Sequence, residues 1–229
     1  MKKLTLATAV CVSLFATNAL AGGAAPFYLG ATIGQSSVDN DVYQMDNQNL
    51  CASASTTSET CSIGDGGTAG HIYGGIQLSD SIAVEIGYAD LGSTAEYYYT
   101  DPVDINQETS GYTVAGVMRH RLGKSSPMHV YGKAGVFRWT TETTSSQDYP
   151  GTTEASGTSP MAGVGIEYEL SHNMSLKAGW DRYYSVGESD KVLNIGGFNS
   201  NNSNNVGYSI NTLETDVDVY SAGVNFSFY

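Results

Sequence analysis

Apolar side chains alternate with polar or small ones, with a period of two, along most of the chain after residue 26. In residues 82–91 one face is apolar and the other is small or charged, with Ile82, Val84, Ile86 and Tyr88 alternating with Ala83, Glu85, Gly87 and Ala89. A period of two is typical of a β-strand with two different faces. Eight segments follow this rule, and we predict strands at residues 27–36, 70–78, 82–91, 111–122, 128–140, 160–170, 175–186 and 217–229.

The connections between these predicted strands alternate in length. Three are tight, at residues 79–81, 123–127 and 171–174, and four are long, at residues 37–69, 92–110, 141–159 and 187–216. Because successive antiparallel strands run in opposite directions, the long connections fall at one end of the sheet and the tight ones at the other. This arrangement is typical of outer-membrane barrels with short periplasmic turns and longer external loops. The predicted fold class is therefore all-β, an eight-stranded antiparallel up-and-down transmembrane β-barrel.

The composition of the two faces indicates what surrounds the barrel. In the last predicted strand Tyr220, Val224 and Phe226 share one face, whereas Gly223 and Asn225 lie on the other. A water-soluble barrel such as a lipocalin turns its apolar face inward, and it would then expose rows of Gly, Ser and Glu. Lipid outside and a polar lumen inside account for both faces more easily. A closed barrel also pairs every backbone donor and acceptor, as a membrane requires.

The overall charge excludes one class of partner, and the length of the apolar runs excludes one class of fold. The 229 residues include 10 Lys and Arg against 23 Asp and Glu, a formal net charge of −13. Phosphate binding needs clustered cations, so we predict no nucleic-acid partner. Outside the N-terminus no apolar run approaches about 18 residues, which excludes a polytopic helical membrane protein.

The N-terminal segment has the features of an export signal. Two lysines precede a largely apolar run, and small residues up to Ala21 suit cleavage by signal peptidase. We predict a signal peptide at residues 1–21 and one barrel domain at residues 22–229. The alternative is a lipoprotein anchored at Cys11, but Val10 stands before that cysteine where a small residue is needed.

Two cysteines, Cys51 and Cys61, remain after that cleavage, and they lie in a polar stretch. An even count in an exported chain predicts a local disulfide that closes a loop. Two unpaired thiols are the alternative. A metal site has less support because no third ligand with suitable spacing joins the pair, and we predict no cofactor.

Several motifs resemble the transmembrane domain of the outer-membrane protein A family. Residues 74–92, GGIQLSDSIAVEIGYADLG, resemble the hairpin of strands two and three in that family. Further matches follow in the same order at 130–135 (VYGKAG), 165–168 (GIEY) and 222–228 (AGVNFSF). The resemblance covers the strands rather than the loops, and it implies the same outer-membrane barrel.

The C-terminal segment also resembles that family. Phe226, Phe228 and Tyr229 resemble the terminal aromatic signal that the outer-membrane assembly machinery recognises. The same aromatic rings also suit the lipid interface. Some relatives carry a peptidoglycan-binding domain after the barrel. The sequence ends with the eighth predicted strand, so we expect no such domain here.

The resemblance further implies a network of inward charges that plugs the lumen and rearranges to pass small ions. Glu85 and Glu167 match the family's acids and Arg119 and Lys177 its bases, whereas Thr32 stands where the family usually has Lys. Independently of the family, the period of two places six charges on the small-residue face, namely Glu85, Arg119, Lys133, Glu167, Lys177 and Asp181. Buried charges of both signs must pair. We favour structural ion pairs over a regulated gate, because eight strands leave room for little more than side chains.

We predict from the sequence that the protein is not an enzyme. None of its four histidines stands in a recognisable catalytic arrangement with a serine, and only His71 lies near the predicted external end of a strand. A lone histidine is more often a polar wall residue than a catalytic base.

The long loops leave two functions open. Acidic residues in the first loop and the Asn-rich tract at residues 199–205 are candidates for contacts with host molecules, phage or lipopolysaccharide through divalent cations, or they are hydrated spacers. The predicted function is an integral outer-membrane barrel of a Gram-negative envelope, with a structural role and at most weak small-ion conductance. The alternative is an adhesin or receptor that acts through its loops. The predicted partners are outer-membrane lipid and lipopolysaccharide, the assembly machinery, and host or phage ligands at the loops.

Overall fold

The fold is built from strands throughout. The computed structural model describes residues 26–38, 62–64, 66–98, 104–146, 152–187, 192–196, 207–211 and 215–228. These residues form eleven strands: β1 (Phe27–Val38), β2 (Ser62–Gly64), β3 (Thr68–Ser79), β4 (Ile82–Tyr98), β5 (Asp104–Arg121), β6 (Met128–Ser146), β7 (Thr152–Ser171), β8 (Met174–Val186), β9 (Val192–Gly196), β10 (Gly207–Asn211) and β11 (Thr215–Phe228). Within these ranges no helix has the length and apolar character needed to cross a membrane.

Eight of the strands close into a barrel. Each pairs in antiparallel fashion with its neighbours in the order β4-β3-β1-β11-β8-β7-β6-β5, and pairing of β4 with β5 closes the ring. The first and last strands lie side by side, with register partners running from Phe27 and Phe228 to Val38 and Val217. The predicted all-β, eight-stranded antiparallel up-and-down barrel is therefore confirmed. The three remaining strands are short: β2 pairs with the far end of β4, and β9 and β10 form a separate hairpin.

The tight connections lie together at one end, which we call the turn end. Asp80 and Ser81 join β3 to β4, residues 122–127 join β5 to β6, and residues 172–173 join β7 to β8. In the second of these turns the backbone N–H of Leu122 donates to the carbonyl of Met128 at 2.9 Å. Gly123 there has a φ of 102°, a conformation that glycine adopts at little cost. The three tight connections agree with those expected from the sequence.

At the opposite end, which we call the loop end, two of the predicted long connections are wrong. Residues 92–110 and 141–159 are mostly strand, because β4 and β5 stay paired as far as Tyr98 and Asp104. The pairing of β6 with β7 likewise extends to Thr144. These extensions contain Thr, Ser, Tyr and Glu rather than alternating apolar side chains. Pairing of the backbones and the β-branched threonines sustain a strand there without an apolar face.

The apolar face predicted from the period of two lies on the outside of the barrel. Val84 and Ile86 are 44% and 55% exposed, whereas the intervening Glu85 is 3% exposed and points to the interior. Phe226 is likewise exposed beside the fully buried Asn225. Next to the turn end the outside of the wall is therefore apolar, and the inside carries small and charged side chains together with the buried Tyr28, Tyr73 and Tyr131.

Large aromatic side chains inside the barrel lie against glycines of the neighbouring strand. Four such cross-strand pairs are Tyr28 with Gly75, Tyr73 with Gly30, Tyr131 with Gly165, and Trp139 with Gly157. A Cβ atom added at any of these glycines would collide with the ring of its aromatic partner. The glycines therefore let each ring lie close against the neighbouring strand.

Candidate functional site

The structure places the six predicted lumen charges in the barrel interior, where we call them the charge layer. They come from five strands: Glu85 on β4, Arg119 on β5, Lys133 on β6, Glu167 on β7, and Lys177 and Asp181 on β8. Five of them are buried, and the Arg119 side chain is 12% exposed. The barrel therefore brings together charges that are far apart in the sequence.

The most enclosed ion pair joins Glu85 to Lys177. The Nζ of Lys177 is 3.3 Å from Oε1 of Glu85, and the hydroxyl of Tyr28 donates to the same oxygen at 2.9 Å. The Lys177 ammonium also lies 4.5 Å from the ring centroid of Tyr73 and 4.4 Å from that of Tyr131. Cation–π attraction strengthens when water is excluded. Lys177 is therefore stabilised by one carboxylate and two aromatic faces.

A second pair joins Glu167 to Arg119. The Nε of Arg119 lies 3.7 Å from Oε2 of Glu167, and its guanidinium lies 4.4 Å from the ring centroid of Tyr28. The other carboxylate oxygen accepts hydrogen bonds from the Ser175 hydroxyl and, at 3.3 Å, from the Asn225 amide. Tyr28 thus connects the two pairs, because its hydroxyl contacts Glu85 and its ring face contacts Arg119.

The third pair lies nearer the loop end. The Nζ of Lys133 is 2.8 Å from Oδ2 of Asp181. His71 is also buried in the interior, with Nε2 3.1 Å from Oγ1 of Thr113. Thr32, which stands where the resembled family usually has Lys, is the register partner of His71. His71 is therefore a polar residue of the inner wall, and it does not face the outer surface.

An open vestibule leads from the turn end to the charge layer. Its volume is about 660 Å³, and its lining includes Arg119, Arg121, His129, Glu167 and Glu169. At the mouth, Nη2 of Arg121 donates to both oxygens of Glu169, at 3.0 and 3.2 Å. Solutes at the turn end therefore have a polar route as far as the Arg119 and Glu167 pair.

Comparison with known proteins identifies the family. The family model for the outer membrane protein beta-barrel domain matches residues 7–228 of this chain. The chain belongs to this outer-membrane barrel family. Outer membrane protein A of Serratia marcescens is 26% identical over 201 residues, which cover 84% of this chain and 52% of that protein. The chain thus spans about half the length of this curated relative.

Solved structures of outer-membrane barrels have the same fold. Neisserial surface protein A is 14% identical, with a TM-score of 0.53 and coverage of 88% of this chain and 97% of that one. OprG of Pseudomonas aeruginosa is 15% identical, with a TM-score of 0.51 and coverage of 90% and 97%. The protein is an outer-membrane barrel of a Gram-negative bacterium. In such barrels the short turns face the periplasm and the longer loops face outward, so the vestibule opens to the periplasm.

The outer half of this outer-membrane barrel holds a feature that the sequence interpretation missed. A hydrophobic cluster of eleven buried residues lies in the described lumen between the charge layer and the loop end, and we call six of them the apolar layer: Phe137, Trp139, Met161, Tyr183, Val217 and Val219. The rings of Phe137 and Tyr183 pack edge to face with centroids 4.8 Å apart. The sequence did contain an indication of the apolar layer, because the period of two continues along β6 from the inward Lys133 to Phe137 and Trp139.

Some predicted features lie outside the described residues of the barrel. These are the signal peptide at residues 1–21, the pair Cys51 and Cys61, and Tyr229. Phe226 and Phe228 are described; both are exposed on the lipid side, and Phe228 stacks on Phe27 with centroids 4.8 Å apart. In the described ranges, no group of three or more His, Cys, Asp or Glu side chains is arranged to hold a metal ion.

Proposed function

We propose that this outer-membrane barrel has a structural role in the envelope and that its lumen is plugged by buried ion pairs, so that it passes small ions weakly at most. The observation that best supports this role is the pairing of all six charges within the lumen. A narrow eight-stranded interior leaves little space beside such side chains. The outward apolar face is expected to contact lipid and lipopolysaccharide.

The energetics favour a closed resting state. Separating Lys177 from Glu85 would leave two buried charges without partners and would also remove the contacts of the ammonium with Tyr73 and Tyr131. Removing one partner of a buried pair typically costs about 3–5 kcal/mol. Structural ion pairs are therefore preferred over a gate that opens readily.

Several finer roles belong to the same proposal. Residues 1–21 would be removed as a signal peptide to leave the domain 22–229, and Cys51 and Cys61 would form the loop disulfide. Phe226, Phe228 and Tyr229 would be recognised by the assembly machinery. A catalytic role is not proposed, because His71 and the Thr113 hydroxyl that it contacts are both buried in the lumen wall and do not face the outer surface.

A second candidate, an adhesin or receptor acting through the loops, is favoured by one observation. The strands β4 to β7 extend past the apolar band, and their exposed residues include Glu108, Glu142 and Glu154, which are register partners on three adjacent strands. This sheet would project beyond the lipid toward host or phage ligands. This observation identifies an exposed surface but does not indicate which ligand it binds, so we place this function second.

The proposed function is tested with the wild-type protein. We expect it in the outer-membrane fraction, migrating differently on a gel before and after boiling, because a folded barrel resists detergent until it is heated. In planar bilayers we expect small conductance steps or none. Large, steady conductance steps would contradict a plugged lumen. Recovery of the protein from the soluble periplasm, with the same gel migration before and after boiling, would contradict a membrane barrel. Attachment to host cells that is lost on deletion of residues 41–65 would favour the second candidate instead.

A further inference from the structure

Within the described residues, the buried side-chain polar atoms that have no hydrogen-bond partner all belong to the charge layer or to residues in contact with it. They are the Tyr73 hydroxyl, Nε and Nη2 of Arg119, Oε2 of Glu167, Oδ1 of Asp181 and Oδ1 of Asn225. Of these, Nε of Arg119 and Oε2 of Glu167 lie 3.7 Å apart as an ion pair. Leaving a buried donor or acceptor unpaired typically costs about 1–3 kcal/mol. The vestibule reaches Arg119 and Glu167 and supplies a route for water to this region. The charge layer is therefore suited to hydration from the periplasm.

The apolar layer has the opposite character. Its six side chains are 0–6% exposed, with Val217 and Phe137 at 0%. Its indole N–H is already satisfied, because Nε1 of Trp139 donates to the Ser159 hydroxyl at 2.8 Å, and that hydroxyl donates to the carbonyl of Ser185 at 2.7 Å. The Trp139 indole therefore needs no water as a partner.

We infer that the lumen is wet on the periplasmic side and dry on the outer side, and that the apolar layer is the main barrier to ions entering from outside. Hydrophobic constrictions exclude ions by excluding water, and a charge that enters such a region loses its hydration without gaining a partner. The inference rests on the proposed plugged lumen and deepens it. It implies that breaking an ion pair does not by itself open the barrel.

Thiol labelling in whole cells of a strain without general porins, whose water-filled channels would admit the reagent to the periplasm, tests the position of the barrier. In a Cys51→Ser and Cys61→Ser background, Ser221→Cys places a probe beside Asp181, immediately on the periplasmic side of Val219. Ser227→Cys places a second probe in the vestibule. With a membrane-impermeant methanethiosulfonate ammonium reagent added outside, we expect neither probe to react. Ser227→Cys should react once the outer membrane is permeabilised.

Opening the apolar layer should then expose the Ser221→Cys probe to the reagent added outside. Phe137→Ala combined with Tyr183→Ala is expected to raise the outside labelling rate of Ser221→Cys at least about tenfold, and to raise the planar-bilayer conductance. Tyr220→Ala, which removes an aromatic ring from the lipid face, should change neither. Val217→Thr is a second variant that introduces a polar group with little change of volume, in case the double variant does not fold. Heat-dependent migration establishes folding for each variant.

Three results would overturn the inference. The first is rapid outside labelling of Ser221→Cys with the apolar layer intact. The second is unchanged labelling and conductance in folded variants of that layer. The third is a conductance increase in Lys177→Met alone, which would place the main barrier at the ion pairs. Failure of the proposed function would appear differently, as large conductance steps in the wild-type protein.

Discussion

Replacing Glu85 with alanine is expected to lower the free energy of unfolding of the barrel by about 3–5 kcal/mol. The change leaves the Lys177 ammonium buried without its carboxylate and removes the acceptor of the Tyr28 hydroxyl. Urea unfolding of the protein in lipid vesicles, followed by fluorescence of Trp139 and Trp180, measures the difference.

Two further variants control this first experiment. Glu108→Ala removes an exposed glutamate beyond the apolar band, and a substitution of that kind typically changes stability by no more than about 0.5 kcal/mol. Glu85→Gln combined with Lys177→Met removes both buried charges and should recover much of the loss. Equal effects of Glu85→Ala and Glu108→Ala would show that the buried pair contributes little to stability.

Placing a positive charge on the lipid face should be nearly as damaging. Ile86 points outward near the middle of the apolar band of β4 and is 55% exposed. Arginine at the bilayer midplane of a barrel typically costs about 2–4 kcal/mol, so Ile86→Arg should lower the unfolding free energy by that amount in the same vesicle experiment.

A matched substitution at the edge of the band isolates the effect of depth. Gln35 is exposed two positions beyond the outward Ile33 on β1, and arginine near the interface typically costs about 0–1 kcal/mol. Gln35→Arg should therefore be nearly neutral. If Ile86→Arg proved as harmless as Gln35→Arg, the outer face of β4 would not be in contact with hydrocarbon.

The sequence allowed the barrel and the orientation of its walls to be predicted, since both depend on a local period of two. The same period explains why the far ends of β4 to β7 were missed. Residues 140–144, TTETT, have no apolar alternation, yet their strand extends beyond the apolar band because its neighbours are also extended. Strand length in that region is decided by pairing between segments far apart in the chain.

The sequence alone did not show which of the lumen charges pair with one another. Lys177 is the direct register neighbour of Glu167 across β7 and β8, and a local rule for cross-strand pairs would join them. Instead the Lys177 ammonium crosses the lumen to Glu85, and Glu167 is bound by Ser175, Asn225 and Arg119. The lumen is narrow enough for long side chains to reach the opposite wall, and that depends on barrel closure.

Spin labels along β4 test most directly which side of the wall contacts lipid. Cysteine labels are placed one at a time at the outward positions Val84, Ile86 and Tyr88 and at the inward positions Ala83 and Ala89, in a background without Cys51 and Cys61. Collision with dissolved oxygen, which concentrates in hydrocarbon, should be frequent at the three outward labels and rare at the two inward ones. The reverse pattern, or equal collision at all five positions, would contradict a barrel with lipid around it and charges inside.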